Sequence, residues 1–165
     1  LGAGDHARIK KGTVQALIIV WTMCLISIAA GLLLSRGGGY LYIFLSPDKV
    51  TAETMRYGNT YLYIDLSLYA FLGFIFVARN CVQGIGKPQF VLGAGAAELA
   101  ARVSVCLLLP PLIAGGAVNS DAPRAAVYAL CFADPFAWMA ADAVLLVPFL
   151  RNIMKMDYRY LKGTM

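Results

Sequence analysis

RNCVQGIGKPQFVLGAGAAELAAR, residues Arg79–Arg102, carries the chain from the end of one apolar segment through a tight Gly/Pro turn into the start of the next. It sets Arg79, Glu98 and Arg102 inside or at the margin of segments that otherwise read as membrane spans. Ionisable groups at that depth need partners or water. The stretch is therefore an intramembrane hairpin carrying a polar problem, and the rest of the chain is arranged around it.

The bulk composition agrees. Of 165 residues, 60% are hydrophobic and 14% charged, and the mean hydropathy is +0.70, whereas soluble domains are nearer half apolar and a quarter charged. The apolar residues fall into four blocks, at approximately 13–35, 57–82, 89–113 and 125–150, each long enough for the roughly 20 helical residues that cross a hydrocarbon core. An all-α membrane protein of four transmembrane helices follows, with a basic tail over 151–165.

The first block, Thr13–Ser35, has no charge and is expected to face lipid. Arg36-Gly37-Gly38-Gly39 breaks it, and LYIFLSPDKVTAETM (Leu41–Met55) reads as interfacial. There Ser46 is the expected cap and Pro47 suits a first helical turn, with Tyr40, Tyr42 and Phe44 as an aromatic belt. Gly93, Ala97 and Ala101, at a spacing of four with Ala96 and Ala100 alongside, form a small-residue stripe for close helix approach. Pro110-Pro111 is expected to end the regular third helix, and Pro135 and Pro148 to kink the fourth.

A net charge of +5 does not indicate nucleic acid, because the basic residues sit at span ends and not in one aromatic-interleaved patch. Four spans put both chain ends on one side, with Arg8, Lys10, Lys11, Lys87, Arg151, Lys155, Arg159 and Lys162 against Arg36, Lys49, Arg56 and Arg124. That excess assigns the ends to the cytoplasm. Cys24, Cys81, Cys106 and Cys131 lie in apolar blocks without CxxC spacing and read as packing residues, and His6, in a basic polar stretch, as a surface residue. No metal or cofactor set is evident, nor a nucleophile with a base, so an enzyme is not expected. GIGKP is not a phosphate loop: Cys81 and Pro88 stand where that motif needs Gly and Ser or Thr. The first apolar block is too long for a signal peptide, and a chain opening Leu1-Gly2-Ala3-Gly4 reads as the continuation of something longer.

Counting about 1.5 Å per residue from the span ends, Arg102 and Asp134 reach similar depths on antiparallel helices. Glu98 lies one turn from Arg102 and near the depth of Asp142, where two neighbouring acids would favour holding a proton. Glu98, Arg102, Asp134 and Asp142 are thus a candidate intramembrane network, either a clamp that keeps two spans in register or a group that changes protonation. Asp65 with Tyr61 is a candidate cavity-lining, cation-attracting pair, or a solvated interfacial one. Arg79 is placed to snorkel toward headgroups, with Asn80 and Gln83 satisfying backbone beside the turn.

Several motifs resemble one family. Arg79-Asn80-x-x-Gln83-Gly84-x-Gly86, then Gly95-x-x-Glu98-Leu99-x-x-Arg102, then Pro135-x-Ala137-Trp138, resemble the C-terminal lobe of bacterial MATE (multidrug and toxic compound extrusion) transporters. Gly2-Ala3-Gly4-Asp5 with Arg8-Ile9-x-x-Gly12 is similar to the loop before that family's ninth helix, and Phe44, Val50 and Tyr61-Leu62-x-Ile64 to the beginning of its tenth. The whole chain then corresponds to helices nine to twelve of a twelve-helix, two-lobe fold.

The resemblance implies alternating-access export of bulky, cationic or amphipathic compounds in exchange for H+ or Na+, in a bacterial inner membrane. It implies that the remaining N-terminal part of the transporter is the partner, and that the coupling-ion site lies mainly outside this chain. The family's helix-ten acid maps near Leu72, so Asp65 does not inherit that role. A lipid-linked oligosaccharide flippase would be expected to show more cationic cavity residues, and a small four-helix structural or interaction protein would need an independent coding start.

Overall fold

A computed structural model describes residues 6–36, 39–118 and 123–155. Leu1–Asp5, the glycines at 37–38, the loop at 119–122 and the tail with Arg159 and Lys162 lie outside the described residues. The described chain is helical, without strands. Three helices are long and apolar enough to cross a membrane: His6–Ser35, Pro88–Ala114 and the run Arg124–Met154. A bent pair, Ala52–Ser67 with Tyr69–Gly84, makes a fourth if it forms one span.

Helix α1 (His6–Ser35) exposes Ile18, Ile19, Leu25 and Leu33, as a helix against lipid does. A short helical turn, α2 (Leu41–Phe44), and the 3-10 turn Pro47–Lys49 follow. Ser46 precedes that turn without a side-chain capping bond, and the cap falls instead at Thr51, whose Oγ1 accepts from the Thr54 N–H at 3.1 Å. This bond satisfies an orphan donor of α3 (Ala52–Ser67).

Helices α3 and α4 (Tyr69–Gly84) meet at Leu68 with a bend of 51°. Ser67 explains it: its Oγ donates to the Ile64 carbonyl at 2.7 Å, the back-bonding that bends helices, and Leu68 takes φ −111°, ψ 10°. Helix α4 ends in a motif that demands glycine. Gly86 N–H donates to Gln83 O at 2.9 Å and Lys87 N–H to Val82 O at 3.2 Å, with Gly86 at φ +78°.

Helix α5 (Pro88–Ala114) runs through Pro110 and Pro111 and stops at Gly115, φ +72°. The expected stop at the prolines is corrected: only the final turn loses donors, and the left-handed glycine is what ends the helix. The fourth block divides into α6 (Arg124–Leu130), a turn at Cys131-Phe132, α7 (Ala133–Phe149) and a π-helical turn at Leu150–Met154. The widened turn follows Pro148, whose carbonyl is taken by Asn152 Nδ2 at 2.7 Å.

The core joins Ile75, Ala78 and Val82 of α4, Ala94 of α5, and Trp138, Ala141, Leu145 and Phe149 of α7. Aromatic edges lock α4 to α7, with Tyr69 against Trp138 at 6.4 Å and Phe74 against Phe149 at 5.2 Å between ring centres. On α5 the buried small residue is Ala94; of the expected stripe Ala97 and Ala101 are half-buried and Gly93 faces Val144 of α7, where an added Cβ would lie 3.7 Å from its Cγ1, while Ala96 and Ala100 are exposed. Helix α1 lies on α4 through Gly73, where an added Cβ would come within 2.8 Å of Cys24 Sγ and 2.9 Å of Val20 Cγ1. Cys24 and Cys131 are buried, Cys81 is half-buried and Cys106 is exposed.

Candidate functional site

Helix α5 projects Glu98 and Arg102 about 15 and 21 Å along a helix about 40 Å long, so both lie near the middle of any membrane it crosses. Around them runs a continuous file of charged and polar side chains. Arg79 Nη2 of α4 donates to Glu98 Oε2 at 3.0 Å, and Glu98 Oε1 lies 3.5 Å from Arg102 Nη2. Arg102 reaches Asp134 Oδ1 of α7 with Nη2 at 2.8 Å and Nε at 3.0 Å. Asp134 Oδ2 then accepts from the Tyr61 hydroxyl of α3 at 2.9 Å.

Cations and carboxylates alternate along this file, which stabilises each against its neighbour. Five side chains from four helices are joined, from Arg79 near the α4–α5 turn to Tyr61 in the opposite half of the bent pair. Asp65, one turn from Tyr61, lies within electrostatic reach of Asp134, and its Oδ1 is buried with no hydrogen-bond partner. The side chains are not sealed within the bundle: Arg79, Glu98, Arg102 and Asp134 are 34, 23, 40 and 29% exposed.

Two placements from the sequence are corrected. Arg79 does not turn toward headgroups; Glu98 draws it inward. Asp142 does not join Glu98, and no hydrogen bond or ion pair links them among the described residues. It stands eight residues after Asp134, which rotates it about 80° around α7, onto the face toward α1 and α4. There it lines an apolar cavity of about 410 Å³ with Trp21, Phe71, Phe74, Met139 and Leu146. Asp142 is 9% exposed and its Oδ1 has no hydrogen-bond partner.

The hairpin residues shape the turn beneath the file. Asn80 Nδ2 donates to the Phe76 carbonyl at 2.7 Å, Gln83 and Gly84 are exposed, and Gly86 supplies the left-handed residue. Trp138, Ala137 and Pro135 are buried in α7. Among the described residues no group of three His, Cys, Asp or Glu is placed to hold a metal ion. The sequence reading missed two contacts, Arg79 to Glu98 and Tyr61 to Asp134. Compared with family models, curated proteins and solved structures, the chain matches none of them.

Proposed function

We propose that this chain forms helices nine to twelve of a MATE-type antiporter of a bacterial inner membrane, exporting organic cations or amphipathic compounds in exchange for H+ or Na+. The observation that carries the reading is the file from Arg79 to Tyr61, which passes the middle of α5 at Glu98 and Arg102 and is partly open on one face. Charged groups in that position face a bundle interior or a water-filled cavity, not lipid. A second set of helices packed across that face would enclose such a cavity, as alternating access between two lobes requires.

In this reading Glu98 and Asp134 are the groups whose charge is balanced by Arg102, and Asp65, with an unpartnered oxygen beside them, is where an entering cation would be drawn. Occupancy by an ion would compete with Arg102 for the carboxylates and so bias one arrangement of helices over the other. A clamp is the second reading, favoured by the fact that all four charged members of the file have partners. It would hold α5 against α7 with no part in transport.

The test uses the longer open reading frame that contains this chain, expressed in everted vesicles. Glu98→Gln and Asp134→Asn are expected to lower gradient-driven uptake of a cationic dye about tenfold at unchanged protein level, the size of effect a coupling free energy near 1.4 kcal/mol produces. Normal expression with unaltered dependence on proton and sodium gradients would leave the clamp alone. An upstream reading frame that meets a stop and its own start codon would remove the missing lobe, and the antiporter with it.

A further inference from the structure

A second site stands apart from the polar file, at the end of the bundle where the α4–α5 turn meets the π-helical turn that follows α7. We propose that this site holds the phosphate of an anionic phospholipid.

The pocket has a volume of about 190 Å³ and is lined by Lys87, Phe90, Val147, Pro148, Arg151 and Asn152. Two of those six are cations and none is a carboxylate. Its size is below the roughly 300–1,000 Å³ of pockets for drug-sized ligands, which suits a small anionic group. Lys87 is not a freely waving side chain. Its Nζ donates to Asn152 Oδ1 at 2.7 Å, and Asn152 Nδ2 is itself fixed on the Pro148 carbonyl at 2.7 Å. That tether fixes the amide, so its oxygen faces the ammonium and leaves two of the ammonium's three donors for a ligand.

Arg151 comes from the π-helical turn, is exposed, and has no ion-pair or hydrogen-bond partner among the described residues. Helix α5 begins here with Pro88 in its first turn, so its positive end adds to the field of both cations. The other half of the lining is apolar: Phe90, Val147 and Pro148. It continues onto the exposed surface of α7 and the π-helical turn, where Leu146, Val147 and Leu150 are 43, 54 and 40% exposed.

A free phosphate ion would use the cations alone. A phospholipid uses both halves, phosphate against Lys87 and Arg151 and acyl chains along the apolar strip. Basic pockets between membrane helices recognise anionic headgroups in this way. The assignment does not rest on the transport reading.

The test is native mass spectrometry of the detergent-purified chain titrated with phosphatidylglycerol, phosphatidylcholine or inorganic phosphate. Each cation near a membrane surface contributes about fivefold to binding an anionic lipid, so the Lys87→Gln/Arg151→Gln variant is expected to hold phosphatidylglycerol about 25-fold more weakly. Lys49→Gln/Arg56→Gln, which removes the same charge at the opposite end, is expected to bind as the unaltered chain does. Should the double variant not be recovered folded, Arg151→Gln alone removes an exposed side chain and is expected to weaken binding about fivefold. Equal retention of phosphatidylcholine, undiminished binding by the Lys87→Gln/Arg151→Gln or Arg151→Gln variant, or an equal loss in Lys49→Gln/Arg56→Gln, would overturn the proposal. Inorganic phosphate binding as tightly as phosphatidylglycerol would overturn the lipid assignment.

Discussion

Arg102 holds two acids at once, and a double-mutant cycle on Arg102 and Asp134 measures what that arrangement is worth. Two of its N–H groups converge on Asp134 Oδ1, at 2.8 and 3.0 Å. Charge centres about 4 Å apart interact with about 4 kcal/mol at an effective dielectric near 20. Three things reduce it: side-chain exposures of 40% and 29%, the competing Glu98 oxygen at 3.5 Å, and the cost of keeping both ions from water. A coupling of about 1–2 kcal/mol remains, at the upper end of polar pair couplings inside membranes.

The single variants should differ in a way the file dictates. Arg102→Gln leaves two carboxylates and one cation, so it should cost about 2–3 kcal/mol, below the full 3–5 of a sealed pair because water reaches the site. Asp134→Asn keeps an acceptor for the Tyr61 hydroxyl and leaves Arg102 on Glu98, so about 1–2 kcal/mol is expected. The double variant should cost less than the two together by the coupling. Equilibrium unfolding in mixed micelles, read from the fluorescence of Trp138, which is 6% exposed in the core, measures all four corners. Free energies that add within about 0.3 kcal/mol would refute the pairing.

Other outcomes follow from single positions. Gly73→Ala places a methyl against Cys24 Sγ and Val20 Cγ1 and should cost about 1–3 kcal/mol, with faster maleimide labelling of Cys24. Gly84→Ala, where a Cβ meets nothing within 4 Å, should be neutral or stabilising by about 0.4–1 kcal/mol. Asp142→Leu removes a carboxylate with an unpartnered oxygen from an apolar cavity and should raise the unfolding free energy by about 1–2 kcal/mol; a lowered value would mean Asp142 has a stabilising partner. Thr51→Ala deletes the α3 cap, so a loss of about 1 kcal/mol and faster hydrogen exchange at the Thr54 amide are expected.

The sequence made depth legible but not direction. Hydropathy located the apolar blocks because about 20 consecutive apolar residues have few uses other than crossing a membrane. The linear rise of a helix put Arg102 level with Asp134, and they lie 2.8 Å apart. The same counting put Asp142 level with Glu98 and was misleading, since depth says nothing about position around the helix. Arg79 was judged by its distance from the helix end, whereas Glu98 on the neighbouring helix sets its direction. The bend at Leu68 was signalled by Ser67 alone, and a serine in an apolar run has several other uses.

That bend divides the pair into two arms of equal length and unequal burial. The arm beyond it, α3, buries only Leu66, whereas α4 buries Gly73, Ile75, Val77, Ala78 and Val82. One arm is therefore anchored and the other is a lever about 24 Å long, pivoting at Leu68. A swing of about 10° carries its tip about 4 Å, by simple trigonometry on that length. Tyr61, a little under halfway out, would travel about 2 Å, enough to part its hydroxyl from Asp134. The file of charges thus ends on a single phenol carried by the less buried of the two arms.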